Sequence, residues 1–160
     1  MHLAAFQHAL ACVERFGPWE SVVEIGSMEI NGSVRGLLRG ARYTGIDVRQ
    51  GPGVDVVADG STWQPPEPVD CVLCLETMEH AEDPRAIVAN ALRMLRPGGV
   101  LILSAAGPNR APHGWHGGDL EEGEQYQGIM PADLHLWLAE VEHEVSESQG
   151  GEDVYAWVKV

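Results

Sequence analysis

Positive charge is scarce in this sequence. Ten Lys and Arg stand against 24 Asp and Glu, a formal net charge of −14 at pH 7. Phosphate backbones and anionic membranes are held through Lys and Arg, so neither nucleic acid nor a membrane surface is expected as the main partner. Long apolar runs are also missing, and no stretch approaches the ~18 residues that a spanning helix requires. The N-terminus has no basic region, and Gln7 and His8 interrupt its apolar part, so a signal peptide is not expected. Three cysteines make no disulfide framework. Cys71 and Cys74 spell C-x-x-C inside an apolar strand pattern, where residues three apart point to opposite faces, and they read as core residues. The expected compartment is the cytoplasm. Repeats, linkers and low-complexity tracts are absent, and 160 residues suffice for one domain but not two.

The 44% hydrophobic content is ordinary for a globular protein, and its arrangement is informative. Val22-Val23-Glu24-Ile25 reads as a short buried strand that Gly26 breaks. Asn31-Gly32-Ser33 then leads into Val34 to Arg39, whose apolar stripe predicts a helix over about 31–39. A strand, a glycine-bearing turn and a helix N-terminus together would form a cofactor cradle of backbone N–H groups. Glu24 lies inside the strand end, where a carboxylate is costly unless a cationic or donor-rich group meets it. Asp47 closes the next apolar segment about 20 residues after Gly26, the spacing at which an acid reaches ribose hydroxyls. A nucleoside ligand with a cationic end would satisfy both.

Along the chain, Leu3, Phe6, Leu10 and Val13 recur at helical spacing, giving an N-terminal helix that Gly17-Pro18 stops. Strands are expected at about 21–25, 42–47, 54–58, 69–75 and 100–104. Asp83-Pro84 is a helix start, with Asp as N-cap and Pro at the first position, and Pro97-Gly98-Gly99 closes that helix. Residues 105–130 form an irregular segment too long for a mere connector, and a lid or binding loop is expected there. A helix over 131–140 precedes two strands, 142–148 and 153–160, whose short turn makes them an antiparallel hairpin. Alternating strands and helices imply an α/β fold, a doubly wound and mostly parallel sheet of about seven strands. Ligands of such sheets bind at the strands' carboxyl ends, so 24–27, 47–48, 58–60 and 74–77 are expected to converge on one crevice.

These residues resemble the class I S-adenosylmethionine-dependent methyltransferases. Val22 to Gly32 resembles the family's first motif, Ile46-Asp47-Val48 the acidic end of the second strand, and Val57-Ala58-Asp59-Gly60 the adenine-side segment. Asp70 to His80, followed by Leu95-Arg96-Pro97-Gly98-Gly99-Val100-Leu101, resembles the fourth and fifth strand region. The resemblance implies a single Rossmann-like domain over 1–160: an N-terminal helix (1–18), a cofactor-binding core (20–104), a lid (105–130), and a last helix and hairpin (131–160). It implies S-adenosylmethionine as cofactor and S-adenosylhomocysteine as product. Gly26, Ser27 and Gly32 would line the methionine moiety, with Glu24 near its ammonium. Asp47 would take the ribose hydroxyls and Val48 the adenine ring. Asp59 would accept from the adenine amino group, the Gly60 N–H would meet a ring nitrogen, and Leu75 and Glu76 would lie beside the sulfonium.

The first motif departs from the usual G-x-G-x-G: Ser27-Met28-Glu29-Ile30-Asn31 separates Gly26 from Gly32, two extra residues without a central glycine. A non-catalytic member of the fold, acting as a binding or regulatory protein, is therefore an alternative. A nicotinamide-dependent oxidoreductase shares the ribose-binding acid but should show G-x-G-x-x-G, which is absent. His113 and His116, in the glycine-rich stretch His113 to Asp119, are the candidates for a general base. No metal centre is expected, since a glycine-rich loop does not fix ligand geometry. His80 is equally a packing or capping residue and a catalytic one. Trp115 and Tyr126 are candidates for the substrate side, while Trp63, Trp137 and Trp157 read as packing residues. The expected acceptor is a small molecule or a sugar, and the oligomeric state is left open.

Overall fold

A computed structural model describes residues 2–160. Helix α1 (Leu3–Phe16) is followed by strands β1 (Ser21–Ile25), β2 (Arg42–Asp47), β3 (Val56–Val57) and β4 (Val69–Leu75). Helix α2 (Pro84–Met94), strand β5 (Leu95–Ala106), helix α3 (Pro131–Trp137) and strands β6 (Glu142–Glu147) and β7 (Asp153–Lys159) complete the chain. The seven strands form one sheet in the order β3-β2-β1-β4-β5-β7-β6. Strands β1 to β5 run parallel, and β7 enters antiparallel between β5 and β6. This is the doubly wound fold, with its closing hairpin, that the alternation of elements implied.

All seven residues of β4 are buried, as a central parallel strand covered on both faces must be. Alternate side chains sort into two cores. Val72, Cys74, Leu101 and Leu103 face α2 and α3, meeting Ile87, Val88, Ala91 and Leu134. Cys71, Leu73, Val100 and Ile102 face α1 and the segment after β1, meeting Ala9, Cys12, Val34 and Leu38. Cys71 and Cys74 thus lie on opposite faces as free, buried thiols. Trp63 and Trp137 pack against the first core and Trp157 belongs to the second.

Several expected elements differ. No α-helix follows β1: the span predicted as helix 31–39 holds only a four-residue 3₁₀ turn, Arg35–Leu38. Gly32 and Gly40 take positive φ at its flanks (102° each), and only Leu38 of the turn is buried. Too little apolar surface is available to offset the glycines' entropy. Strand β3 shrinks from 54–58 to two residues: before it the Asp55 N–H still donates to the Gly45 carbonyl at 2.8 Å, but the Asp55 carboxylate, rather than a backbone carbonyl, accepts the Gly45 N–H at 2.8 Å. Strand β5 is longer than expected, paired with β4 from Leu95 and with β7 as far as Ala106, so α2 stops at Met94 and the irregular segment covers 107–130. Helix α3 ends at Trp137, short of 140. Helix α1 buries Ala5, Ala9 and Cys12 rather than the larger stripe, leaving Leu3 71% exposed. Small residues let the helix lie close to the sheet.

Candidate functional site

The carboxyl ends of β1, β2 and β4, with the β3 end, converge on a crevice of about 1040 Å³ roofed by the 107–130 segment. It opens where the sheet order reverses between β1 and β4, the position at which such sheets bind ligands.

At the end of β1, Gly26 has φ 75°, and a Cβ there would lie 1.9 Å from Thr77 Oγ1. Only glycine lets the β1 and β4 ends approach this closely. Thr77 donates its hydroxyl to the Leu75 carbonyl at 3.0 Å, closing the β4 end. The N–H groups of Gly26 and Ser27 both go to the Ile46 carbonyl, at 2.9 and 3.0 Å. The loop after β1 is therefore folded against β2, and those N–H groups are not free for a ligand. With no helix to follow, the anticipated cradle at a helix N-terminus does not exist. Carboxylates line the crevice instead, and they suit a cation.

Glu24 is 7% exposed and reaches the crevice wall without an ion pair or side-chain hydrogen bond to any of the described residues. Burial pushes its carboxyl up to about 8, with Arg35 pulling weakly the other way. Ser27 Oγ is buried beside it in the wall without a hydrogen-bond partner. Asp47 closes β2, its Oδ2 accepting the Met28 N–H at 3.3 Å and its Oδ1 the Arg49 N–H at 3.0 Å. Each oxygen keeps a lone pair for a hydroxyl donor. Val48 beside it is 60% exposed, an apolar face at the rim. Asp59 accepts from the Ser61 N–H and hydroxyl at 2.8 and 2.7 Å, and Gly60 packs against Ile25 so closely that a Cβ would meet Cγ2 at 2.3 Å.

Glu76 is the one non-glycine residue with positive φ (53°) among the described residues, the kind of strain that collects at functional sites. Its N–H donates to the Ser104 carbonyl at 2.9 Å. Ser104 Oγ donates to Oε1 at 3.1 Å, and Arg110 pairs with Oε2 at 2.8 Å. Arg110 also pairs with Asp153 and contacts His2. The acid expected beside a sulfonium is thus already neutralised.

The roof is held down at both ends. Gly107 N–H donates to the Glu152 carbonyl and Ile129 N–H to the Ala106 carbonyl, each at 2.8 Å. Gln127 N–H donates to the Glu79 carbonyl at 2.8 Å, and the buried Ile129 anchors the segment in the core. Across the opening, the Arg49 guanidinium lies 4.3 Å from the Trp115 ring centroid. His113 and Trp115 face the crevice. His116 does not: its Nδ1 accepts the Gly118 N–H at 3.0 Å, and Nε2 lies 3.5 Å from Glu121. His80 walls the crevice with its ring against His113 and Tyr126. Burial and the neighbouring His113 lower its pKa. The cap of α2 is Asp83, which accepts the Ala86 N–H at 3.0 Å.

Of the residues singled out from sequence, Glu24, Gly26, Ser27, Gly32, Asp47 and Val48 meet in this crevice, with Asp59, Gly60, Leu75, Glu76 and His113 opposite them. Thr77, Arg49 and Arg110 were missed. Arg110 had a signal, being the single cation in 105–130; Thr77 and Arg49 had none beyond their place next to the motifs.

A family model described as a methyltransferase domain matches residues 13–147. Among curated proteins, the ubiquinone biosynthesis O-methyltransferase of Pseudomonas entomophila is 36% identical over 87 residues, which is 44% of this chain and 38% of that protein. Its counterpart in Pseudomonas putida W619 is 34% identical over 88 residues, again 38% of its length. The match therefore spans well under half of these relatives. Among solved structures, the N-methyltransferase NodS of Bradyrhizobium japonicum WM9 in complex with S-adenosyl-L-homocysteine is similar with a TM-score of 0.66 at 18% identity, covering 98% of this chain and 85% of that one. An S-adenosylmethionine-dependent methyltransferase of Clostridium acetobutylicum ATCC 824 reaches 0.71 at 12% identity, covering 100% and 92%. At these identities the likeness is one of fold.

Proposed function

The chain belongs to the methyltransferase-domain family, the class I S-adenosylmethionine-dependent methyltransferases, and from that premise we propose that its crevice holds S-adenosylmethionine and delivers the methyl group to a small-molecule acceptor. The observation that carries this is the pair of strand-end acids in one crevice, with Glu24 lacking a cationic partner among the described residues and Asp47 retaining acceptor capacity. The buried Ser27 Oγ, also without a partner, fits the same polar ligand. Bound there, S-adenosylmethionine supplies a methyl carbon activated by its sulfonium for in-line displacement, with S-adenosylhomocysteine as product.

The chain's own part is positioning and exclusion of water. Glu24 meets the ligand ammonium and ionises on doing so. Asp47 takes the ribose hydroxyls, Val48 offers an apolar face to the adenine, and Asp59 with Gly60 borders that ring. Leu75 and the strained Glu76 backbone shape the wall next to the reacting carbon. The 107–130 segment covers the acceptor side, where His113 is placed to accept a proton and His116 is not. The curated relatives are named as O-methyltransferases, which supports a hydroxyl acceptor; a sugar is the other candidate of that kind.

A non-catalytic member of the family is the second reading, favoured by the missing helix after β1 and the folded-in first loop. Calorimetry with S-adenosylhomocysteine decides between them. The expected result is micromolar binding that falls at least tenfold in Asp47→Ala, with circular dichroism showing that variant folded. A folded wild-type chain that gives no heat supports the non-catalytic reading.

A further inference from the structure

Beneath the roof, three side chains converge that the cofactor reading does not use. Glu79 and His80 come from the 3₁₀ turn Met78–His80 after β4, and His113 comes from the roof. One ligand atom of each lies within 4.8 Å of the others. Glu79 is fully buried, and its Oε1 accepts the Ala106 N–H at 3.1 Å while Oε2 has no partner among the described residues. His80 Nδ1 is likewise buried and unpartnered. A buried carboxylate oxygen and a buried imidazole nitrogen left open beside each other are what a missing cation would satisfy.

The surroundings orient these groups as ligands. The Ala111 carbonyl lies 3.2 Å from His113 Nδ1, so that nitrogen carries the proton and Nε2 presents its lone pair, the arrangement metal-binding imidazoles use. The Tyr126 ring packs 5.9 Å from His80 and 5.0 Å from His113 and restrains both. Arg110 does not fill the gap, because Glu76 and Asp153 hold it. The other two clusters differ: His2, Glu76 and Asp153 already surround Arg110, and His116 with Glu121 and Glu124, although His116 Nε2 and Glu124 Oε1 also lack a hydrogen-bond partner among the described residues, sits in the outer loop away from the crevice beside an exposed Glu121.

The geometry points to a divalent transition-metal site formed by Glu79, His80 and His113, with its open positions facing the crevice. Two imidazoles and one carboxylate are a donor set for zinc, manganese or iron(II). Metal–ligand bonds of about 2.0–2.2 Å draw the three ligand atoms together by on the order of 1 Å, a motion available to the roof-borne His113. This departs from the sequence expectation of no metal centre, which weighed His113 with His116 on the same loop and not with Glu79 and His80 across the crevice. The role, unlike the site, rests on the methyl-transfer reading, and it takes the place of the proton-accepting role given to His113, whose Nε2 the metal would hold. An acceptor hydroxyl bound at the open position would lose its proton to solvent more easily, the oxygen keeping the electron pair that attacks the methyl carbon.

The test uses the full chain stripped with a chelator and then freed of it. Zinc alone is titrated calorimetrically, manganese is a second probe, and cobalt absorption reports ligand geometry. Expected are one zinc per chain, zinc bound more tightly than manganese, and visible cobalt bands. His113→Ala and the near-isosteric Glu79→Gln should each weaken zinc at least tenfold and remove the bands. His116→Ala, and His135→Ala in the surface pair His135–His143, should leave both unchanged. Absence of zinc binding in the wild type overturns the proposal, as does binding that survives His113→Ala or is lost in His135→Ala or His116→Ala. S-adenosylhomocysteine binding is measured in parallel; its failure beside intact zinc binding would sink the methyl-transfer reading and leave the site standing.

Discussion

Glu24 carries the most consequence of any single residue. It stood out in sequence as an acid inside an apolar strand end, and the structure buries it without an ion pair among the described residues. An acid whose pKa rises on folding keeps its proton after the unfolded chain has lost it. Stability therefore falls as pH rises from the ordinary carboxylate range to about 8. Glu24→Gln should remove that slope and leave the free protein more stable at pH 8, by on the order of 2 kcal/mol, in urea titrations at several pH values. Binding of an ammonium-bearing ligand reverses the shift. At pH 7 the wild type should release up to one proton on taking up S-adenosylhomocysteine, and Glu24→Gln none, read as the dependence of calorimetric heat on buffer ionisation enthalpy. The place of Asp47 at a strand end on the crevice was legible from spacing, whereas that of Thr77 was not, because Thr77 crowds Gly26 from another strand.

Among the elements, those with a local signature were readable. Strands β1, β2 and β4 follow their apolar runs, and α2 begins at its Asp-Pro cap. The span 31–39 misled because three apolar residues at helical spacing do not outweigh the glycines around them, and β3 because the Asp55 side chain, invisible to periodicity, takes the Gly45 N–H. The roof was legible from its length as a long irregular segment, but not where its ends attach. The Arg49–Trp115 contact ties the roof to the β2 end across the opening. Trp115→Ala should cost less than about 1 kcal/mol in global stability yet loosen the roof. The expected signs are faster amide exchange over 113–118 and a several-fold faster release of S-adenosylhomocysteine; unchanged exchange would show that the contact does not hold the segment.

For the molecule as a whole, the two ends of the sheet have separate duties. At the end opposite the crevice, Asp70 at the start of β4 accepts the N–H groups of Glu20 and Ser21 at 2.7 and 2.8 Å and pairs with Arg96 at the start of β5. Burial opposes its ionisation, but those donors prevail and hold its carboxyl below the usual range. Its contribution is present above the unfolded carboxylate range and lost as pH falls through the lowered value. Asp70→Asn should destabilise by about 1–3 kcal/mol while leaving S-adenosylhomocysteine affinity within twofold, because the change lies away from the crevice. A large loss of affinity would mean the two ends are coupled.

The sequence by itself determined the alternation of strands and helices, the family resemblance, and the acids at the strand ends, since these depend on periodicity and spacing within short stretches. Only the tertiary structure decided that the first loop folds against β2, that Arg110 neutralises Glu76, and that Glu79 and His80 face His113. Those contacts join residues 19 or more positions apart across different strands and the roof. No local pattern encodes them, because they exist only once the sheet order has brought the strand ends together.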